Sequence, residues 1–579
     1  MKRYIFDTEC YIDYFLLMLR DIDTEQVFSA EMYPGKELGI NQLPEGLYIG
    51  FNSKNYDLPI LSLALAGCDN QTLKRASDSI IVGKLKPWDI EREFGGIDLR
   101  GLDHIDIMEV APGQCGLKAY GGRLHSSKLQ DLPIDPSANI SESDRALLRE
   151  YCANDLQTTL DLHNKVLPQI ELRVKMGNQY GIDLRSKSDA QIAEAVIKSE
   201  VEKITGGKIY RPELSPDFKF KYKPPKFINF QTEGMNWVLN VIRNAEFGID
   251  DTGAVITPIQ LQDLRVNIGK GQYRMGSGGL HSCENSVSYV EPLIDRDVAS
   301  YYPSLILTNE WYPSQMGEAF LQVYKSILDR RLIAKQTGDK VTNEALKIVV
   351  NGSFGKFGSK WSSLYSPELL IQVTLTGQLA LLMLIELLET YGVEVVSANT
   401  DGVVMKAHPA IDWIVTLWEL TTGLTTEETK YRALHSRDVN NYIAIKDDGA
   451  VKLKGAYALD SISKNPTNVV CVDAVVNYLR DGISPHVTVS CCRDITKFVT
   501  IRKVTGGGEK NGKYLGKIVR WYYGEGEVSY INYFGKTNKV PKSDGAIPIM
   551  QFGLFPNDID YLWYIREAQS ILKDLGVSL

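Results

Sequence analysis

Apolar and polar positions along the chain switch repeatedly between a two-residue and a helical period. Met1-Lys2-Arg3-Tyr4-Ile5-Phe6-Asp7 opens as a β-strand, and Leu47-Tyr-Ile-Gly-Phe51 is a second strand-like run. Up to about residue 170 strand-like and helix-like patterns alternate, as in an α/β domain. A helical stretch runs from Ser188 to Lys203, and the polar, Pro- and Lys-containing segment Pro212 to Lys226 reads as a linker. Strands are expected at Ser286-Val-Ser-Tyr-Val290 and Leu293-Ile294-Asp295, then helices at Phe320–Gln336 and Asn343–Gly352, joined by a polar turn through Gly338. A long apolar helix, Glu368 to Tyr391, leads into the strand Val393-Glu-Val-Val-Ser-Ala398, and a mixed region rich in Gly and Lys ends the chain. There is no internal repeat and no low-complexity segment.

The length of 579 residues is too great for one hydrophobic core, so several domains are expected. No stretch comes near the roughly 18 consecutive apolar residues of a membrane span. The acidic residue at position 7 follows the start too soon for a signal peptide, so a cytoplasmic protein is expected, outside any membrane. The eight cysteines form no C-x-x-C pair, and Cys491-Cys492 are adjacent, which argues for a reducing compartment and against zinc or iron–sulfur sites. A net charge of −8 is unusual for a protein that grips phosphates, unless carboxylates are concentrated in metal sites.

Carboxylates do recur in short groups. Asp7-Thr8-Glu9 places two acids on one side of the first strand. Asn52-Ser-Lys-Asn-Tyr56-Asp57 supplies a third after the second strand, and Tyr151-Cys-Ala-Asn-Asp155 a fourth, with its Tyr one helical turn earlier. Taken singly, a D-x-E is an ordinary surface pair. Four acids without His or Cys suit hard divalent cations, and two such ions can activate water against a phosphodiester. The set resembles the three motifs of DnaQ-like 3′→5′ exonucleases. The resemblance implies Asp7, Glu9, Asp57 and Asp155 as metal ligands, Tyr151 orienting the attacking water, and Thr8, Asn52 and Tyr56 holding a single-stranded primer end. Asp106 reads as structural, and a basic residue, Lys118 or Lys128, is expected near the site.

A second set lies downstream. Asp297-Val-Ala-Ser-Tyr-Tyr302-Pro-Ser304 puts a carboxylate at a strand end before a turn able to face a triphosphate. Lys347, Asn351 and Phe354 share one helical face, and the preceding helix carries Arg331 and Lys335 one turn apart. Asn399-Thr400-Asp401-Gly402 is a tight turn between apolar strands, where an acid is costly without a metal or partner. In order these resemble motifs A, B and C of the family B DNA polymerases, and with the exonuclease set the resemblance covers most of residues 1–460. It implies Asp297 and Asp401 as ligands of two catalytic metals, Tyr302 as the gate against a ribose 2′-OH, and Lys347 with Lys335 or Arg331 on the triphosphate. Asn351 and Phe354 would flank the nascent base pair. Tyr273-Arg-Met-Gly276-Ser-Gly278-Gly279 resembles the Y-x-G-G segment, and Lys454-Gly-Ala-Tyr457 the primer-binding Lys–Tyr segment, so Tyr273, Gly278, Gly279, Lys454 and Tyr457 are expected on DNA. Three departures stand out: Asn399 where motif C has its first Asp, Phe354 where motif B has Tyr, and Asn440-Asn441 where basic residues often precede Tyr442.

The implied architecture is a multidomain protein of α/β and α+β class. An RNase H-like exonuclease domain (1–185) would be followed by a linker with the N-terminal palm (186–290). Next come palm with motif A (291–318), a fingers helix pair with motif B (319–358), palm with motif C (359–460), and thumb with the C-terminal region (461–579). The implied activity is DNA-dependent DNA synthesis with 3′→5′ proofreading, using two Mg²⁺ or Mn²⁺ ions per site, primer–template DNA and dNTPs. A compact, phage-like replicative monomer is expected; a helicase, primase or single-strand-binding protein is compatible with that role, though no residue pattern points to one. Tyr302 to Lys347 spans 45 positions and Phe357 to Asn399 spans 42, too few for the insertions of protein-primed phage relatives. No terminal protein and no strong strand displacement are therefore expected. In the C-terminal region Lys497, Arg502, Lys503, Lys510, Lys513, Lys517 and Arg520 would contact duplex backbone, with Trp521 and Tyr522 buried. The competing reading is a DNA 3′→5′ exonuclease whose second half only clamps DNA, and Asn399 favours it.

Overall fold

The computed structural model describes residues 1–276, 278–459 and 461–578. Its N-terminal part is a five-stranded sheet of β1 (Arg3–Cys10), β2 (Phe15–Asp21), β3 (Val27–Met32), β4 (Leu47–Gly50) and β5 (His104–Asp106), in the order β3-β2-β1-β4-β5. The β1–β2–β3 meander is antiparallel, whereas β4 runs parallel to β1 and β5 parallel to β4. Helix α1 (Asp57–Leu65) follows β4, α2 (Leu117–Arg123) lies further on, and α3 (Glu142–Tyr180) packs against β1 and β2. Ser141 caps α3 through a reciprocal bond pair with Asp144, which fixes where this 39-residue helix starts.

Helix α4 (Asp189–Thr205) ends the N-terminal part. The expected linker is instead a built surface. Lys219–Lys221 is a strand, β6, in a three-stranded sheet with β7 (Glu246–Ile249) and β8 (Val255–Ile256). Tyr222 is buried, with its hydroxyl 2.9 Å from that of Thr376, and Gln372 bonds both the N–H and the carbonyl of Lys223. A Pro- and Lys-rich composition hid these long-range anchors.

The central sheet has ten strands. Along its path lie β18 (Val451–Leu453), β17 (Asn441–Lys446), β16 (Thr426–Asp438), β13 (Leu293–Val298), β15 (Gly402–Lys406), β14 (Val395–Asn399), β11 (Leu280–Ser282), β10 (Gly271–Met275) and β9 (Arg265–Ile268), while β12 (Val287–Tyr289) pairs with β16. Helix α5 (Tyr301–Thr308) leaves the end of β13. Helices α6 (Ala319–Thr337) and α7 (Lys340–Lys356) form the expected hairpin, closed by Gly338 in the left-handed conformation. Helix α7 packs closely on α4: a Cβ at Gly352 would lie 2.9 Å from the carbonyl of Asp189. Helix α8 (Pro367–Thr390) is long and apolar enough to cross a membrane, contrary to the expectation that no stretch approaches that; here it is the spine of the largest core cluster. The C-terminal region carries the hairpin β19 (Thr500–Lys510) and β20 (Lys513–Tyr523), with its own core around Trp521 and Tyr564.

Candidate active sites

Two carboxylate clusters form in separate parts of the fold. In the first, period-2 alternation turns Asp7 and Glu9 to one side of β1, and Asp57 stands at the first position of α1. Tyr151 and Asp155 come from one face of α3. Asp57 is fixed by Thr8, whose N–H and hydroxyl donate to Oδ1 at 3.1 and 2.6 Å. Thr8 is thus buried on Asp57 and does not face outward toward a primer. Asp106 accepts bonds from the N–H groups of Asn52, Lys54 and Met108, holding the turn in which Asn52 has φ +58°. The Tyr56 hydroxyl lies 2.9 Å from Ser77 Oγ.

Of the two candidate bases, Lys118 on α2 pairs with Asp155 and sits 4.1 Å above the Tyr151 ring, whereas Lys128 pairs with Glu150. Spacing could not choose between them; the packing of α2 on α3 does. Cys152, one residue after Tyr151, turns its buried thiol to Asp7 Oδ2 at 3.9 Å, a neighbour the sequence reading did not consider.

Burial, reinforced by the Asp57, Glu9 and Asp155 charges, pushes Asp7 well above the usual carboxylate range. Burial and Asp155 raise Glu9 to about 8, and burial raises Asp57 to about 7 against the bonds from Thr8. Asp155 is raised by burial even beside Lys118. Four crowded carboxylates are the environment a hard divalent cation relieves, and although the Cys152 thiol lies beside Asp7 and Glu9 the donors are mostly oxygen, so the residues fit Mg²⁺ or Mn²⁺.

In the second cluster, antiparallel pairing of β13 with β15 sets Asp297 opposite Gly402, and the β14–β15 turn brings Asp401 alongside. The Val298 N–H donates to the Asp401 carbonyl at 2.7 Å, tying the two segments together. A Cβ at Gly402 would lie 2.1 Å from Asp297 Oδ1, so only glycine leaves that carboxylate its place. Asp297, Asn399, Asp401 and Lys454 line a cavity of about 180 Å³ with two residues not singled out in the sequence, Asp295 and Lys452. Asp295 is buried and accepts from the Tyr431 hydroxyl at 2.5 Å. Lys452 Nζ lies 3.3 Å from Asp295 Oδ2, 3.1 Å from Tyr431 Oη and 3.7 Å from Asp297 Oδ2. A signal for Asp295 existed: Asp295-Arg-Asp297 repeats the i, i+2 spacing of Asp7-Thr-Glu9. Burial and Asp295 raise Asp297 to about 6, and burial raises Asp401. Burial alone would lower Lys452, but Asp295, Tyr442 and Asp297 outweigh it and hold its ammonium charged. This oxygen-donor set also fits a hard divalent ion.

Around this cavity Tyr302 stacks on Phe354 at 4.2 Å between ring centres, and its hydroxyl donates to the Gly278 carbonyl at 2.7 Å. Arg331 donates to Ser300 Oγ at 2.7 Å, in the turn after Asp297, and Lys335 pairs with Glu427, which lies opposite Asp297 on β16. Lys347 and Asn351 are exposed on α7, and Lys347 forms no ion pair among the described residues. A Cβ at Gly279 would lie 2.7 Å from Thr400 Oγ1, so this strand start abuts the Asp401 turn; Ser277 of the same segment lies outside the described residues. Lys454 lies over the Tyr442 ring.

Several expected DNA contacts are core residues. Tyr273, 1% exposed, packs inward from β10, and Tyr457 is buried as well. Lys510 is buried on the Ala546 carbonyl and Glu527. Arg520, fully buried, donates to the carbonyls of Ser126 and Ile549 and stacks 3.5 Å from the centre of the Phe552 ring, joining the C-terminal region to the N-terminal one. Lys503, Lys513 and Lys517 remain exposed, and Trp521 and Tyr522 are buried as expected.

No family model matches this chain. It is 23% identical to DNA polymerase 1 of Aeropyrum pernix over 476 residues, 72% of this chain and 43% of that protein. It is 26% identical to DNA polymerase 1 of Saccharolobus solfataricus over 121 residues, 20% of this chain and 14% of that protein. The chain thus spans less than half the length of these curated relatives. A solved family B DNA polymerase from the archaeon Pyrobaculum calidifontis aligns with all of this chain and 78% of its own, at 16% identity and TM-score 0.40.

Proposed function

We propose that this chain is a family B DNA polymerase that extends a nucleic-acid primer on a DNA template and proofreads with its own 3′→5′ exonuclease. The observation that carries the reading is the β13–β15 pairing that sets Asp297 opposite Gly402 and brings Asp401 of the adjoining turn alongside it, near a tyrosine stacked on Phe354 of α7, the helix that bears Asn351 and, one turn earlier, Lys347. The relatives' names point the same way. The strand order β3-β2-β1-β4-β5, with a parallel β1-β4-β5 half, supports an RNase H-like exonuclease domain at 1–185. On this reading the ten-stranded sheet is the palm, α6 and α7 the fingers, and the region from 461 the thumb.

At the synthetic site Asp297 and Asp401 would hold the ions, which supply charge to the transferring phosphoryl group and its attacking oxygen. Lys347 and Arg331 would bind triphosphate oxygens, and Tyr302, its hydroxyl tied to Gly278, would close off the space beside C2′ of the sugar. Lys454 would bind the primer strand. At the nuclease site Asp7, Glu9, Asp57 and Asp155 would hold the ions, Tyr151 would orient the water, and Lys118 would steady Asp155. The short intervals from Tyr302 to Lys347 and from Phe357 to Asn399 support priming without a terminal protein, and a phage-type monomer is part of the same proposal.

Asn399 favours a second reading, a nuclease whose polymerase-like half clamps DNA. Primer extension with Mg²⁺ and four dNTPs separates the two. The Asp7→Ala variant should extend and Asp401→Ala should not. If neither extends while the unmodified protein still degrades the primer from its 3′ end, the clamp reading replaces the first.

A further inference from the structure

The segment after α4 has a charge balance unlike the rest of this acidic chain. Residues 206–226 hold six basic and two acidic side chains. Among the described residues only Lys219 of these six is ion-paired, with Glu246, which leaves Lys208, Arg211, Lys221, Lys223 and Lys226 exposed and without a carboxylate partner. The backbone beneath them is held to α8 at Tyr222 and Lys223.

Beside it, the loop joining α7 to α8 presents Trp361 at 72% exposure. Its neighbours are pinned: Glu194 accepts from the Ser363 N–H at 2.7 Å, and the Gln315 amide donates to the carbonyls of Ser363 and Tyr365. The indole therefore stands out from a fixed loop. Arg211 lies 5.0 Å and Lys360 5.3 Å from its ring centre, and Tyr210, 73% exposed, adjoins Arg211. Lys360 donates to the Asp251 carbonyl at 2.6 Å and forms no ion pair among the described residues. Three acids border the adjoining cavity of about 420 Å³, and of these Asp250 is occupied by the N–H groups of Thr252 and Ala254.

An exposed indole flanked by cations that form no ion pair among the described residues is a combination that binds single-stranded nucleic acid, with bases stacking on the ring and phosphates meeting the cations. Duplex DNA, whose bases are already stacked, gives the indole nothing to bind. We propose that Trp361, with Arg211, Lys360 and the cations of 208–226, forms a binding platform for the unpaired template strand ahead of the synthetic site. The inference rests on the polymerase reading for its occupant. Its position fits, since the loop follows directly on Lys356, the last residue of the helix bearing Lys347 and Asn351, and Trp361 lies five positions beyond it.

The test measures fluorescence anisotropy of a labelled primer–template in the Asp7→Ala background, comparing a blunt end with a template 5′ overhang of about twelve nucleotides, alongside primer extension. The overhang should tighten binding at least about fivefold. Trp361→Ala and Arg211→Glu should each remove most of that gain and leave blunt-duplex affinity unchanged, and Arg211→Glu should also reduce the salt dependence. Equal binding of both substrates, or a gain that survives both substitutions, overturns the platform even if extension proceeds. A gain lost in both variants from a protein that never extends a primer upholds the single-strand platform and counts against the polymerase reading instead.

Discussion

Lys452→Met removes the charge that, among the described residues, bridges Asp295 and Asp297 at the proposed synthetic site. Methionine keeps the apolar stem and removes the ammonium, leaving Asp295 with the Tyr431 hydroxyl as partner. Breaking a fully buried pair costs about 3–5 kcal/mol, whereas an exposed pair is worth about 0–1 kcal/mol. The Asp295 side chain is 4% exposed but that of Lys452 is 34%, so water screens the lysine and the cost falls between these limits, at about 2 kcal/mol. Asp295→Asn should cost less, about 1 kcal/mol, because the lysine retains solvent and Asp297 as partners. Combining the two removes both charges, so the double variant should be no less stable than Lys452→Met alone, a coupling of about 1 kcal/mol or more. Urea denaturation followed by circular dichroism, compared at an unchanged m-value, measures all three. Losses that add to within about 0.3 kcal/mol would refute the pair as an energetic unit.

Gly402→Ala should lower extension by about 100-fold, through displacement of Asp297, with single-strand degradation intact; an active variant would show that the carboxylate can move aside. Lys118→Met should reverse that pattern, cutting 3′→5′ degradation about 10- to 100-fold with extension unchanged, both read on the same labelled primer. His435 is buried against the Ser288 hydroxyl, and burial lowers its pKa from 6.5 to about 4. Below pH 6.5 the unfolded chain takes up a proton that the folded one refuses, so stability falls as pH drops, by about 3 kcal/mol near pH 4. The raised carboxylates Asp7, Glu9 and Asp57 act with the opposite sign, so the comparison must be with His435→Gln: urea midpoints at pH 7 and 5 should differ less in that variant, and an equal difference would refute the assignment.

The local geometry of the carboxylates was legible from neighbouring residues alone. Asp7 and Glu9 share a strand face because strands repeat every two residues, and Tyr151 and Asp155 share a helix face because helices repeat near four. The helix hairpin around Gly338 and the tight turn at Asp401 were legible for the same reason, since turn residues and apolar period act within a few positions. What a side chain does once placed was decided by partners far along the chain. Asp295 meets Tyr431 and Lys452, 136 and 157 positions away, only because β16 lies next to β13 and β18 reaches the same cavity. Lys118 rather than Lys128 reaches Asp155 because α2 packs on α3, and Thr8 bonds Asp57 because β1 passes the start of α1. Tyr273, Lys510 and Arg520 have surface-like sequence contexts but lie where two layers close over them. Residues 212–226 looked like linker for a related reason: a segment anchored by Thr376 and Gln372 has no local period to reveal it. Period and turn chemistry are properties of neighbouring residues, whereas burial and charge pairing depend on sheet order and helix packing, which no short window of sequence contains.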